Sequence, residues 1–250
     1  MEAKTVSVNV MTVNIHKGFT SLNRRFILPE LRDAVRSVAS DLVFLQEVQG
    51  MHSKHAARFE NWEEGPHYEF LADTMWPQYA YGRNAVYNSG HHGNAVLSKF
   101  PILRHDNHDV SVNGPERRGL LHCVIEIPDH AVQLHAICVH LGLKESHRRI
   151  QLDRLCGLLK DLPPSHPVVV AGDFNDWRQR AHHVLEKAGL YEVFKHANGG
   201  AARTFPARWP VLALDRIYVR NAQAHSPVAL SIRPWSHLSD HSPLAARIEL

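Results

Sequence analysis

The sequence predicts an α/β fold, a sandwich of two β-sheets with helices on the outside, and three observations carry that expectation. Short apolar or alternating runs recur along the whole chain. Helical periodicity is confined to three segments. No internal repeat, low-complexity tract or Gly/Ser linker divides the 250 residues, so one continuous domain over 1–250 is expected.

The elements follow in chain order. Val6, Val8 and Val10 alternate with polar neighbours in 5–14, and Leu42 to Leu45 form the continuous apolar run of a buried strand in 41–48. Further strands are expected over 79–84, 94–100, 119–127, 131–140, 167–172, 213–220, 224–232 and 244–249. A helix over 27–40 places Leu28, Leu31, Val35 and Val38 at helical spacing, with Pro29 near its first turn. A second, 144–161, carries Ile150, Leu152, Leu155, Leu158 and Leu159 and stops before Pro163-Pro164. A third, 178–189, closes at Gly189.

Hydrophobic content of 44% with 21% charged residues is that of a soluble globular protein. A formal charge of +3 permits a polyanionic partner, and no Lys/Arg tract forms a nucleic-acid arm. No apolar stretch approaches the roughly 18–20 residues of a membrane span, so no stable membrane insertion is expected. The three cysteines include no Cys-x-x-Cys pair, which argues against a zinc ribbon and for a reducing compartment. Met1-Glu2-Ala3-Lys4 leads straight into a strand pattern, so no signal peptide and a cytoplasmic location are expected. No protein partner is evident, and a monomer is favoured. Of the 20 histidines, His52, His55, His91, His92, His182 and His183 fall on segments that read as surface.

Polar residues interrupt the strands in a shared way. One face of the first strand reads Val6, Val8, Val10, Thr12 and then Asn14; one face of the second reads Val43, Leu45 and then Glu47. Val132, Leu134, Ala136 and Cys138 lead to His140, while Val169 and Ala171 lead to Asp173 and Asn175. Asp215 opens the face that continues as Ile217 and Val219. Buried carboxylates are costly unless paired or bound to a metal. Brought together at one rim, these strand ends form an acidic cluster where a hard cation and a phosphate would meet. Ser239-Asp240-His241-Ser242-Pro243, before the last strand, adds a carboxylate and a switchable imidazole. Asn14, Glu47, Asp173, Asn175 and Asp240 offer oxygen and no thiolate, which favours magnesium, manganese or calcium over zinc.

Thr12-Val13-Asn14, Leu45-Gln46-Glu47-Val48, Gly93-Asn94-Ala95-Val96-Leu97-Ser98, Val139-His140-Leu141, Gly172-Asp173-Phe174-Asn175, Leu214-Asp215-Arg216-Ile217 and Ser239-Asp240-His241-Ser242-Pro243 occur in this order. With that set the chain resembles the endonuclease/exonuclease/phosphatase superfamily, which includes DNase I, exonuclease III-type repair nucleases, inositol-polyphosphate 5-phosphatases and neutral sphingomyelinases. The resemblance implies a four-layer, DNase I-like sandwich of two packed mixed β-sheets flanked by helices, with the site at one rim and Mg²⁺ or Mn²⁺ as cofactor. It makes Glu47 the principal metal ligand, with Asn14 and Asp240 nearby. It gives Asp173 to the attacking water, Asn175 to holding that water or a phosphoryl oxygen, and His241 to donating to the phosphate, oriented by Asp215. His140 matches the second histidine of the DNase I and sphingomyelinase branches, a role in leaving-group protonation. Exonuclease III-type enzymes build that corner differently.

The expected activity is a divalent-metal-dependent phosphoric ester hydrolase acting on a phosphodiester, lipid headgroup or nucleic acid. The Val139-His140-Leu141-Gly142 corner resembles the sphingomyelinase-like, lipid-remodelling branch, which favours a lipid-type or small phosphodiester. A magnesium-dependent DNA or RNA nuclease is the alternative and would need a cationic track; a non-catalytic scaffold is the remote one. His16, Lys17, Arg83, Arg117, Arg118 and Arg148 are candidates to line the phosphate site, with Lys17 best placed after Asn14. Tyr79, Tyr81, Trp177 and Trp209 are aromatic candidates for substrate contact.

Overall fold

Two six-stranded mixed sheets lie face to face in the computed structural model, which describes residues 5–21, 25–56, 58–59, 62–63, 65–128 and 133–250. The first contains β1 (Ser7–Asn14), β2 (Leu42–His52), β3 (Gln78–Tyr87), β4 (Gly90–Ser98), β11 (Ala224–Val228) and β12 (Leu244–Glu249). Its order is β11-β12-β1-β2-β4-β3. The second contains β5 (Ile102–Asp109), β6 (Gly119–Ile125), β7 (Leu134–His140), β8 (Val168–Asp173), β9 (Tyr191–Glu192) and β10 (Asp215–Arg220), in the order β5-β6-β7-β8-β10-β9. The expected strand over 131–140 is observed from Leu134; residues 131–132, and with them Val132, lie outside the described residues.

Both sheets share one plan. A central parallel pair, β1–β2 or β7–β8, is flanked on each side by antiparallel partners. Parallel strands need a crossover, and a helix supplies each: α1 (Leu28–Val38) joins β1 to β2, and α4 (Glu145–Asp161) joins β7 to β8. The alternating side chains then divide into three apolar layers. Val10, Phe44, Ala136, Ala171, Ile217 and Ala246 meet between the sheets. Met11, Val13, Val43 and Leu45 pack on the α1 side chains Leu28, Leu31 and Val35. Ile137, Val139 and Val170 pack on Leu152, Leu155 and Leu159 of α4 and on Leu185 of α5 (Arg180–Lys187). Helix, sheet, sheet, helix: the four layers follow from the period-two pattern of the strands.

Elements with weak apolar signatures depart from expectation. β5 is exposed from Leu103 to Asp109, and its Arg, His and Asp side chains suit a sheet edge that must not pair with another chain. Short α2 (Ser53–Ala56), α3 (His67–Ala72) and α6 (Val193–Asn198) fill connections. The run 224–232 is a strand only to Val228, and its Pro227 is tolerated because β11 is an edge. Gly189 follows α5 with φ 80°, as a C-terminal glycine does.

Several histidines expected or unremarked as surface are interior. His182 is buried. On the outer face of the second sheet, His122 Nε2 lies 2.9 Å from His135 Nδ1, and His135 Nε2 lies 3.1 Å from His166 Nδ1. Such a chain needs one donor and one acceptor per contact, which neutral rings provide. Burial first, and neighbouring cationic groups second, push His122 and His135 down to about 4.

Two expectations for stability follow from this packing. Gly172 has φ 147°, and a β-carbon there would sit 2.0 Å from the Val139 carbonyl oxygen across the parallel pair. Gly172→Ala should cost on the order of 2 kcal/mol or more, read as a lowered urea midpoint. The folded chain also resists protonating His122 and His135, whereas an unfolded imidazole charges near 6.5. The unfolded state therefore gains protons first, so stability should fall as pH drops from 6.5 towards 4. A His135→Leu variant should show a shallower fall in urea midpoint across that window.

Candidate active site

The two parallel pairs end at one rim, where β10 and β12 begin. Alternation carries the inter-sheet face to its polar ends: Val8 and Val10 to Asn14, Ala136 and Cys138 to His140, Val169 and Ala171 to Asp173, with Asp215 before Ile217 and Val219. Across the second sheet His140 is the register partner of Asp173, and Asp173 that of Asp215. All four residues are buried.

Glu47 reaches this rim by a different route from the one its spacing predicts. Val43 and Leu45 belong to the helix-covered outer face, so strict alternation would turn Glu47 away from the seam. A bulge between Leu45 and Val48, with Glu47 at φ 55°, breaks the alternation and re-aims the side chain. Gln46 then fills the inter-sheet position, donating to Thr12 Oγ1 at 3.2 Å. Asn175 also lies beyond its strand, at φ 51°, with its N–H donating to Asp173 Oδ1 at 2.9 Å.

Asp173 is the centre of the constellation. Its Oδ2 accepts from Asn14 Nδ2 at 3.2 Å and from Asn175 Nδ2 at 3.4 Å. The Nε2 atoms of His140 and His241 stand 3.6 and 3.9 Å from that same oxygen. His241 Nδ1 is 2.9 Å from Asp215 Oδ2, which also accepts from the Thr204 hydroxyl at 2.5 Å. The Phe205 ring packs 5.0 Å from the His241 ring.

Burial opposes charge on His241, but Asp215 and Asp173 outweigh it and raise the ring well above the ordinary 6.5, so it is an imidazolium at neutral pH. Burial raises the Asp173 carboxyl above its usual range, against the pull of His241. His140 goes the other way: burial, then the charge of Arg118, holds its ring neutral. Two imidazoles of opposite protonation thus face one carboxylate.

A second corner holds the expected metal ligands. Lys17 Nζ lies 2.9 Å from Glu47 Oε2, and His16 Nδ1 lies 3.2 Å from Asp240 Oδ2. Asn14 Oδ1 accepts from the His16 N–H at 3.1 Å. Burial raises Glu47, yet the Lys17 ammonium pulls it far below the carboxylate range; burial likewise opposes the His16 contact that lowers Asp240. Both carboxylates therefore stay ionised and, with the Asn14 amide oxygen, offer the oxygen donors that a hard divalent cation takes. Asp173, Asp215 and His241 also approach within 4.8 Å of one another. That trio suits a metal poorly, because Asp215 Oδ2 is engaged by His241 and Thr204, and an imidazolium has no lone pair to give.

Of the cations named from sequence, Lys17 is in this corner, on a turn (His16–Gly18) with φ 57°. Arg118 donates to the Leu141 carbonyl at 3.1 Å and to Glu116 at 2.9 Å, while Arg117 is exposed. Arg148 is buried, donating to the Gly142 and Leu143 carbonyls under the Trp177 ring. Thr204 was not anticipated. It sits in a loop without periodicity, drawn to Asp215 by the bridge between Phe205 and Leu212.

The family to which the sequence belongs, together with this fold, supports a phosphoric ester hydrolase in general. The family sequence profile "Endonuclease/Exonuclease/phosphatase family" matches residues 11–241, and the chain belongs to that family, whose members are typically divalent-metal dependent. It is similar to the "Uncharacterized protein YbhP" of Escherichia coli strain K12, 59% identical over 250 residues, all of this chain and 99% of that one. Among solved structures it resembles an endonuclease/exonuclease/phosphatase from Beutenbergia cavernae, with TM-score 0.80 and 19% identity over 98% of this chain and 72% of that one. It also resembles D. rerio TDP2 complexed with single strand DNA product, with TM-score 0.69 and 18% identity over 97% and 98% of the two chains.

Asp215→Asn should drop the His241 pKa towards or below 6.5, since the main opponent of burial is removed. An NMR titration of the ring in the folded variant reads this directly; an unshifted ring would show that Asp173 alone holds its charge.

Proposed function

We propose that the chain is a divalent-metal-dependent phosphodiesterase, one domain over residues 1–250, which hydrolyses a lipid-type or small phosphodiester by attack of water on phosphorus. The observation that carries this reading is the approach of both imidazole Nε2 atoms to Asp173 Oδ2, at 3.6 and 3.9 Å. These separations exceed a hydrogen bond, so neither Nε2 is spent on Asp173, and in this reading both rings and the carboxylate act on one phosphate and its attacking water.

In this reading Asp173 accepts the proton of the attacking water, and Asn14 and Asn175 fix its carboxylate. As the leaving P–O bond breaks, negative charge gathers on phosphoryl and leaving oxygens. The His241 imidazolium donates to the phosphoryl oxygen, held by Asp215 and Thr204. His140 is neutral in the free protein; an anionic phosphodiester raises its pKa so that the ring takes up a proton from solvent, and this proton passes to the leaving oxygen, returning the ring to neutrality. Glu47, Asp240 and Asn14 would hold Mg²⁺ or Mn²⁺, which supplies Lewis-acid polarisation of the phosphoryl group. Lys17 and Arg118 are the proposed substrate-side cations, with exposed Arg117 as an outer contact. Three free cysteines support a reducing, cytoplasmic setting, and among the described residues no helix is long and apolar enough to cross a membrane.

A nuclease is the second reading, favoured by the likeness to a TDP2 bound to a DNA product. Against it, Arg148 is buried on the Gly142 and Leu143 carbonyls and is not presented to a row of phosphates. A panel containing magnesium and plasmid DNA, RNA, bis-p-nitrophenyl phosphate, inositol phosphates or phospholipids separates the readings. Hydrolysis of the generic diester and of a phospholipid, abolished by chelator, is expected. Asp173→Asn and His241→Ala should each lower kcat by about 10²–10⁴-fold while cation binding changes little. Salt-suppressed cleavage of plasmid at low enzyme would overturn the lipid-type reading in favour of the nuclease, and inactivity on every substrate, the generic diester included, would revive the scaffold.

A further inference from the structure

Three exposed apolar side chains lie on the two loops that border one groove. Trp209 is 74% exposed and Val211 61% exposed on the loop before β10; Ile232 is 70% exposed on the loop after β11. Between these loops runs a groove of about 220 Å³, walled by Pro210, Leu230, Ile232, Trp235 and Pro243, with Arg203 at its edge. Soluble proteins rarely leave such side chains clustered in solvent without a partner for them.

The same segment is cationic on its surface. Between Gly199 and Ser239 the sole acidic residue is Asp215, which is buried. Arg203, Arg208 and Arg233 are exposed there. The loop before β10 is fastened to the turn that carries His241: the Ala207 N–H donates to the Asp240 carbonyl at 2.7 Å, and the Ser242 N–H to the Thr204 carbonyl at 2.8 Å. Ser242 and Pro243 themselves line the groove. Whatever covers this surface therefore sits next to His241.

We propose that this face, Trp209, Val211 and Ile232 with Arg203, Arg208 and Arg233 around them, docks the protein reversibly on an anionic phospholipid surface. An indole at the headgroup level with aliphatic tips beneath it and guanidiniums among the phosphates is the arrangement that such an interface accepts. A single-stranded nucleic acid would instead require ring faces spaced along a cationic groove, and Val211 and Ile232 provide none. As a statement of substrate class the proposal rests on the phosphodiesterase reading; as a binding surface it can be measured without turnover.

The test is sedimentation of the full chain, carrying Asp173→Asn to block turnover, with sucrose-loaded vesicles. Equal parts of phosphatidylglycerol and phosphatidylcholine are compared with phosphatidylcholine alone and with a single-stranded oligothymidylate. Binding to the anionic vesicles is expected to exceed binding to neutral ones at least tenfold and to weaken with salt. Val211→Ser combined with Ile232→Ser should lower it at least tenfold, and so should Arg208→Glu combined with Arg233→Glu. In the otherwise native chain both pairs should leave the urea midpoint and bis-p-nitrophenyl phosphate hydrolysis near wild type. Failure of the parent to bind anionic vesicles, or vesicle binding undiminished in both paired variants, overturns the proposal, as does a loss in the variants confined to oligothymidylate. Generic diester hydrolysis without vesicle binding would remove the docking face alone; vesicle binding with no hydrolysis of any substrate would remove the enzymatic reading alone.

Discussion

Two carboxylates face each other across an antiparallel pair: Asp173 and Asp215 are register partners, and both are buried. Like charges opposite one another in a sheet repel, and burial removes the water that would soften the repulsion. Much of the site can be understood as the response to that constraint. His241 stands between the two, with Nδ1 on Asp215 and Nε2 turned to Asp173. Thr204 adds a hydroxyl to Asp215, and Asn14 and Asn175 add amides to Asp173. The charge on His241 is thus structural as well as chemical. Neutralising that ring would leave two buried anions facing each other.

Asn14, His140, Asp173 and Asp215 were legible in the sequence because a period-two pattern propagates from a buried strand to its end without further information. The same pattern pointed to Glu47 for an incomplete reason. Its neighbours Val43 and Leu45 face the helices, and only the bulge with its left-handed residue brings Glu47 across. Bulges leave no trace in alternation. Thr204 had no signal, since its position depends on a bridge within a loop that has no period of its own. β5 was silent because a charged edge strand lacks the apolar face that marks a strand. The histidines on the outer face of the second sheet gave no signal for a related reason: pairing with one another makes burial tolerable, and pairing is a three-dimensional property.

The location of the site and the location of the helices have a common origin. Each sheet contains one parallel pair, and each such pair forces the chain back along the outside through α1 or α4. Both strands of the pair then point to the same rim, and facing the sheets brings two such pairs together there. The antiparallel neighbours β12 and β10 begin at that rim, which is how the turn with Asp240 and His241 and the strand start at Asp215 join residues from strand ends. A short polar terminus on each of several apolar strands is enough to assemble the constellation.

Chemistry and access are consequently carried by different parts of the chain. Strand ends hold the groups directed at phosphorus, and their positions are set by ladders such as the β7–β8 register that passes through Gly172. The loop 203–212 carries no residue of those ladders, yet it is bonded to the Asp240 carbonyl and lends Thr204 to Asp215. A substitution at its tip, such as at Trp209, changes what can approach the rim. A substitution at its base, at Thr204, removes a hydroxyl from Asp215 Oδ2, the same oxygen that holds His241 Nδ1. Surface recognition can therefore vary over one end of this loop while the proton inventory of the site is held by the other.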